Sequence, residues 1–337
     1  FAIGAGATVI GLTGDILITA DDMDLQGTLI GDPIYITESS GAGIGLGDTS
    51  MPGGLNIGAA ELDRITAASL DLDTAGSIVI DNITGADSGG ANAVALDAGG
   101  TISFINNPAT FDSLAAAADN GILVNQDIAT ATGDLSLDGD ANDAPDGSDG
   151  IQFAADVAVS SAGSLTLESA TGGMAASGDL TLDAGGGIAV LDSLAATGSL
   201  TMDADSDDAG GGTLTLAAGA MIAAGANTVR ITADDLDLSG ALVAGAVFIS
   251  DSDGTGIGLG ATTVANGLNI GGTELQAMTT PGLSLYTQGS IFADNITAAN
   301  SANAGQVVLD AGGAIAFDNA PAVFVALSAL AGNGIAV

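Results

Sequence analysis

The chain of 337 residues has no cysteine, histidine, lysine or tryptophan, and its only side-chain cations are Arg64 and Arg230. Each absence removes a class of chemistry. Without cysteine there is no disulfide framework, zinc finger or thiol nucleophile. Without histidine or lysine there is no histidine-based triad, imidazole metal site or Schiff base. Aromatic residues make up only 3% of the chain. No stretch reaches the ~18 consecutive apolar residues that span a bilayer, so membrane insertion is not expected. The first residues also lack a basic segment followed by an apolar run, so any export signal is expected upstream of Phe1.

Acid and glycine are what the chain has in excess. There are 41 Asp and Glu against the 2 arginines, a net charge of −39, and 53 glycines. A surface of that sign repels nucleic acid. The charge alone would suggest disorder, yet 47% of the residues are hydrophobic and the mean hydropathy is +0.50. Chains too polar to collapse are depleted in such residues. The apolar content is mainly Ala, Val, Ile and Leu, which fits a thin aliphatic core.

A long internal repeat organises the sequence. Ile18–Gly27 (ITADDMDLQG) returns as Ile231–Gly240 (ITADDLDLSG), an offset of 213. The same offset places GIGLG at Gly43 on GIGLG at Gly256, GLNIG at Gly54 on Gly267, DNIT at Asp81 on Asp294 and LDAGG at Leu96 on Leu309. Residues 1–213 are therefore a first copy and 214–337 a partial second, aligned without a gap. We read the chain as a window on a longer tandem array.

A shorter rhythm runs inside the long one. Glycine is followed by short alternating runs, as in GSIVI at Gly76, GTISF at Gly100, GSLTLE at Gly163 and GDLTLD at Gly178. Apolar residues two apart, with Thr, Ser or a charge between them, mark strands with one buried face. Gly, Asp, Asn and Ser separate the runs and suit tight turns. The best helical stretch is Leu114–Ala118. These features together predict an all-β right-handed parallel β-helix, a β-solenoid of stacked 20–25-residue coils continuous over 1–337. Fifteen such coils make a rod of about 70 Å, with one net charge per ~2 Å of axis, close to duplex DNA. A rod of that charge density condenses counterions, and divalent ions can bridge it to its neighbours.

The run from Gly43 to Ile80, with its copy from Gly256, resembles the repeats of filamentous-haemagglutinin-type exoproteins, large bacterial surface proteins of which many use two-partner secretion. The resemblance implies a right-handed parallel β-helix, a secreted, extracellular or cell-surface location, and a role in adhesion or matrix.

The most suggestive site is the segment 138–150, DGDANDAPDGSDG. Asp138, Asp140, Asn142, Asp146 and Asp149 fall at positions 1, 3, 5, 9 and 12 of an EF-hand-like loop, a spacing that suits calcium. Asp143 stands where that loop wants glycine, and no helices flank it, so a solvated corner loop competes with the metal reading. The acidic segment 203–212 has weaker spacing. Asp21, Asp22 and Asp24 recur as Asp234, Asp235 and Asp237; Asp22 and Asp24 should face outward, opposite Met23 and Leu25. Asn82 and Asn295 begin glycosylation-type sequons but also suit coil corners. GIGLG reads as a turn plus strand. Tyr35, matched by Phe248, suggests a packing position.

The functional expectation is a structural segment of an acidic surface or matrix filament. It is not an enzyme, requires no cofactor beyond a possible role for Ca2+, and self-associates into filaments or bundles. A host or neighbouring cell surface is a further partner. The alternatives are the stalk of a large adhesin and a polysaccharide-acting β-helix enzyme. The enzyme reading is weak because lyases of that shape need a basic residue, and the two arginines are 166 residues apart.

Overall fold

The computed structural model describes residues 1–11, 14–145 and 147–337. The chain forms two compact units, Phe1–Ala175 and Ala176–Val337. Both are built almost wholly of short strands, and every strand pair described is parallel, with many strands in succession. No helix among the described residues is long and apolar enough to cross a membrane.

In the first unit one ladder runs through Ile34–Glu38, Ile65–Thr74, Ala91–Ala98, Leu114–Ala118, Leu135–Asp138 and Leu165–Glu168. Its register stacks like on like: Ile34, Leu70, Val94, Leu114, Leu135 and Leu165 lie in one inward row. All six are at most 2% exposed. A second ladder stacks Ile44, Ile78, Ile102, Ile122 and Ile151 in the same way. The second unit repeats the pattern with Leu180, Leu200, Val229, Val247, Leu283 and Val307, and Leu327 continues the register but is 42% exposed. Alternation puts the intervening residues outside, so each strand buries one face.

Leu114–Ala118 is a strand, not the helix its alanines suggested. Its Leu114, Ala116 and Ala118 point inward, and pairing on both edges supplies the backbone bonds that a five-residue helix would lack. The turns are also less even than a fixed 20–25 residues. Leu114 stands opposite Val94, 20 residues back, but Leu165 stands 30 beyond Leu135 and Leu70 stands 36 beyond Ile34. The longer spacings hold inserted loops and short helices such as Ala59–Leu62 and its second-copy counterpart Gly272–Ala277. The first-unit interior also admits Phe104, Phe111 and Phe153, all essentially inaccessible.

The two GIGLG runs are buried inner strands (Ile44–Gly47 and Gly256–Gly260), as the turn-plus-strand reading anticipated. Gly47 has φ +87°, and a Cβ there would come 2.0 Å from the Asp81 carbonyl oxygen; Gly260, at +88°, meets Asp294 at 2.1 Å. No other residue fits so close a backbone approach. The loop crossing each run is clamped by an asparagine. Asn56 Oδ1 accepts the Met51 N–H at 2.6 Å and its amide donates to Met51 and Gly54; Asn269 does the same for Val264 and Gly267.

Candidate metal centre

The loop at 138–150 lies in the first unit. Asp138 ends a strand, and its Oδ1 accepts the Asp140 N–H at 3.0 Å. Asp140 is 1% exposed; its Oδ2 accepts the Thr171 N–H at 2.7 Å, while Oδ1 is buried with no hydrogen bond. Asn142 is exposed and caps its own turn by accepting the Ala144 N–H. Asp149 Oδ2 accepts the Gly147 N–H and the Thr171 hydroxyl. Thr171 thus draws Asp140 and Asp149 together, whereas Asn142 turns to local backbone. Asp146 lies outside the described residues. Among those described, Asp138, Asp140 and Asp149 do not form a three-carboxylate group.

Such a group forms elsewhere, in the second unit, from Asp234, Asp251 and Asp253. One oxygen from each lies within 4.8 Å of the others. Parallel stacking brings the three together. Thr228–Ala233 pairs with Ala246–Asp251, with Ala233 opposite Asp251, so Asp234 begins the turn beside Asp251 and Asp253 follows two residues on. Asp251 is 6% exposed. Its Oδ2 accepts the Gly256 N–H at 2.8 Å and the Thr287 hydroxyl at 2.7 Å, whereas Oδ1 is buried without a hydrogen bond. Asp234 Oδ2 accepts the Gly211 N–H at 2.9 Å, and its Oδ1 is likewise buried without one. Asp253 is exposed, with its oxygens held by the Thr255 N–H and hydroxyl.

Burial pushes the Asp251 carboxyl above its ordinary range, and the Thr287 and Gly256 donors offset this only in part while Asp253 adds repulsion. Burial acts on Asp253 as well, but the Thr255 donors and the contact with Asp251 outweigh it and hold Asp253 below the ordinary range. Asp205, from the acidic segment 203–212, is fully buried beside this turn and is satisfied by the Gly210 N–H and the Ser252 hydroxyl.

The equivalent corner of the first copy is built differently. Glu38 stands where the second copy has Asp251, and it is 4% exposed. It accepts from the Ser40 N–H and hydroxyl, the Gly41 and Gly43 N–H groups and the Thr74 hydroxyl. Burial pushes Glu38 upward, but these donors prevail and its carboxyl titrates below the ordinary range. Asp21 accepts the Ser39 hydroxyl.

The signal for the second-copy cluster was present in the sequence. At the 213 offset Ser40 becomes Asp253 and Glu38 becomes Asp251. The recurrent acids are what the copies share, whereas this cluster comes from what they change.

Asp22 and Asp24 are exposed opposite buried Met23 and Leu25, as alternation required. Asn82 and Asn295 take left-handed backbone (φ +55° and +52°), as corner residues do, although Asn82 donates to the Asp48 carboxylate rather than to backbone. Tyr35 and Phe248 are not core positions: both point outward, Tyr35 is 40% exposed, and the Arg230 guanidinium lies 4.6 Å from the Phe248 ring centroid. Compared with known proteins, the chain matches no family model, no curated protein and no solved structure.

Proposed function

We propose that the chain is a structural segment of a secreted, strongly acidic surface or matrix filament, built as a right-handed parallel β-helix. The observation that carries this reading is the placement of charge on the ladders. Parallel register sets carboxylates side by side on the outer faces: Asp73 opposite Asp97, Asp138 opposite Glu168, Asp183 opposite Asp203 and Asp294 opposite Asp318. Neighbouring strands are ~4.8 Å apart, and like charges directly opposed destabilise a sheet. Asp97 shows the strain: burial, then Asp73 and Asp119, push its carboxyl above the ordinary range. An exterior built this way attracts divalent cations, at the ladders and at the loop 138–150, and those ions join neighbouring filaments. Catalysis has no part in this reading, and the resemblance to filamentous-haemagglutinin-type repeats supports it.

The test is light scattering and electron microscopy of the chain in chelator and in millimolar calcium. Threads that gather into bundles only with calcium are expected. Equal association in both conditions, or isolated globules in both, would overturn the proposal.

A further inference from the structure

The corner between Thr228–Ala233 and Ala246–Asp251 holds more negative charge than its own donors satisfy. Three carboxylates meet there, and two of their oxygens, Asp234 Oδ1 and Asp251 Oδ1, are shut away from water without a hydrogen bond. Asp251 is more than nine-tenths buried, and both its donors, Gly256 and Thr287, go to the other oxygen. Among the described residues no side-chain cation stands at this corner. Arg230 is the one arginine of this unit, and it lies over Phe248 on the outer face of the sheet.

We propose that Asp234, Asp251 and Asp253 bind one calcium ion. The geometry suits that ion. Two oxygens on one calcium at ~2.4 Å are at most ~4.8 Å apart, and the three carboxylate oxygens meet this limit. Asp253 lies at the surface, so water can complete the six to eight ligands calcium takes, in the irregular arrangement it tolerates. Magnesium demands a regular octahedron and gives up water reluctantly, so it fits this corner less well. The site lies between two stacked turns of one chain and is separate from the bridging of filaments proposed above. Among the described residues it belongs to the second copy alone. In the first, Ser40 replaces the third carboxylate and gives its donors to Glu38.

Calorimetric titration of the whole chain with calcium tests this, in ~0.3 M NaCl so that diffuse attraction to the net charge is screened. Wild type should show one saturable site. Asp253→Ser, which installs the residue the first copy carries, should weaken it by about tenfold or more, since calcium affinity follows the count of charged ligands. Asp237→Ser makes the same charge change at an exposed position away from the corner and should leave the site intact. Calcium should also slow hydrogen exchange at the Gly256 amide in wild type and not in Asp253→Ser, a readout that holds even if the variant is less stable. The proposal is overturned if wild type has no saturable site, or if the two variants bind alike. Magnesium binding as tightly as calcium would overturn the choice of ion.

Discussion

The two copies of the long repeat share their scaffold and differ at a corner. The ten-residue strands Ile65–Thr74 and Met278–Thr287 have the same burial pattern residue for residue, and the asparagine clamps at Asn56 and Asn269 make equivalent hydrogen bonds. Between them, Glu38 with five donors has become Asp251 with two. With one methylene fewer the carboxylate keeps the Gly256 amide but not the counterparts of the Ser40 and Gly41 amides, and exchanging Ser40 for Asp253 turns a donor into a charge. Glu38 and Asp251 each sit at the very end of their strand's inward face, so the backbone ladder and the aliphatic positions before them are kept in both copies. A repeat can therefore keep its fold while one copy acquires new chemistry.

The largest effect that would sharpen this contrast is expected at Glu38. Glu38→Ala leaves several turn amides and the Thr74 hydroxyl without an acceptor and should cost about 2–4 kcal/mol. Asp251→Ala, measured in chelator, removes a carboxylate that is already half unsatisfied and should cost clearly less. Denaturant unfolding, with hydrogen exchange to locate the change, compares the two; equal losses would break the contrast. The shared element should behave the other way. Asn56→Ala and Asn269→Ala each remove one side-chain acceptor and two donors from an equivalent loop, and each should cost about 1–3 kcal/mol. A large difference between them would mean that the copies diverge in more than the acidic corner.

Acid titration separates buried carboxyls of opposite shift. Glu38 titrates below its ordinary value, so its contribution is complete above about pH 4.5 and is lost as the pH falls through the lower, folded value. Glu274 is pushed upward by burial first, with Asp235 and Asp237 adding repulsion that its Gly271 and Leu238 donors do not cancel. Its ionisation opposes folding above its raised value, and acidification relieves the penalty. Stability relative to Glu38→Gln should therefore fall on going acid, while stability relative to Glu274→Gln should rise. Unfolding midpoints of the three proteins between pH 7 and pH 3 check both signs, and parallel curves would contradict them.

Much of the architecture was legible in the sequence because it rests on local pattern. Alternation after each glycine identified one-faced strands, and the repeat placed equivalent strands in both copies. What escaped depends on how far the chain travels before it stacks. The 36-residue step from Ile34 to Leu70 hides a loop and a short helix that no period announces. Leu114–Ala118 has good helix formers, but neighbours on both edges decide its state. The carboxylate cluster escaped because Asp234 and Asp251, 17 residues apart, meet only through the register of Ala233 with Asp251. Spacing rules read contiguous loops such as 138–150, whereas parallel stacking assembles sites from separate turns.

The smallest effect expected concerns the outer face, where the copies also differ. Arg230 and Phe248 stand where the first copy has Leu17 and Tyr35, and each pair faces across one parallel ladder. Leu17 is 74% exposed, so this position contributes little to the core in either copy. In the second copy the guanidinium over the Phe248 ring adds a cation–π contact, worth about 0.5–1 kcal/mol at an exposed site. Arg230→Leu, which restores the first-copy residue, should lose about that amount. Arg230→Leu combined with Phe248→Leu should lose no more than the sum of the single changes less the coupling, so a double-mutant cycle isolates the contact. A coupling near zero would show that the arginine matters there only as one of the chain's two positive charges, which salt would screen in wild type and in Phe248→Leu alike.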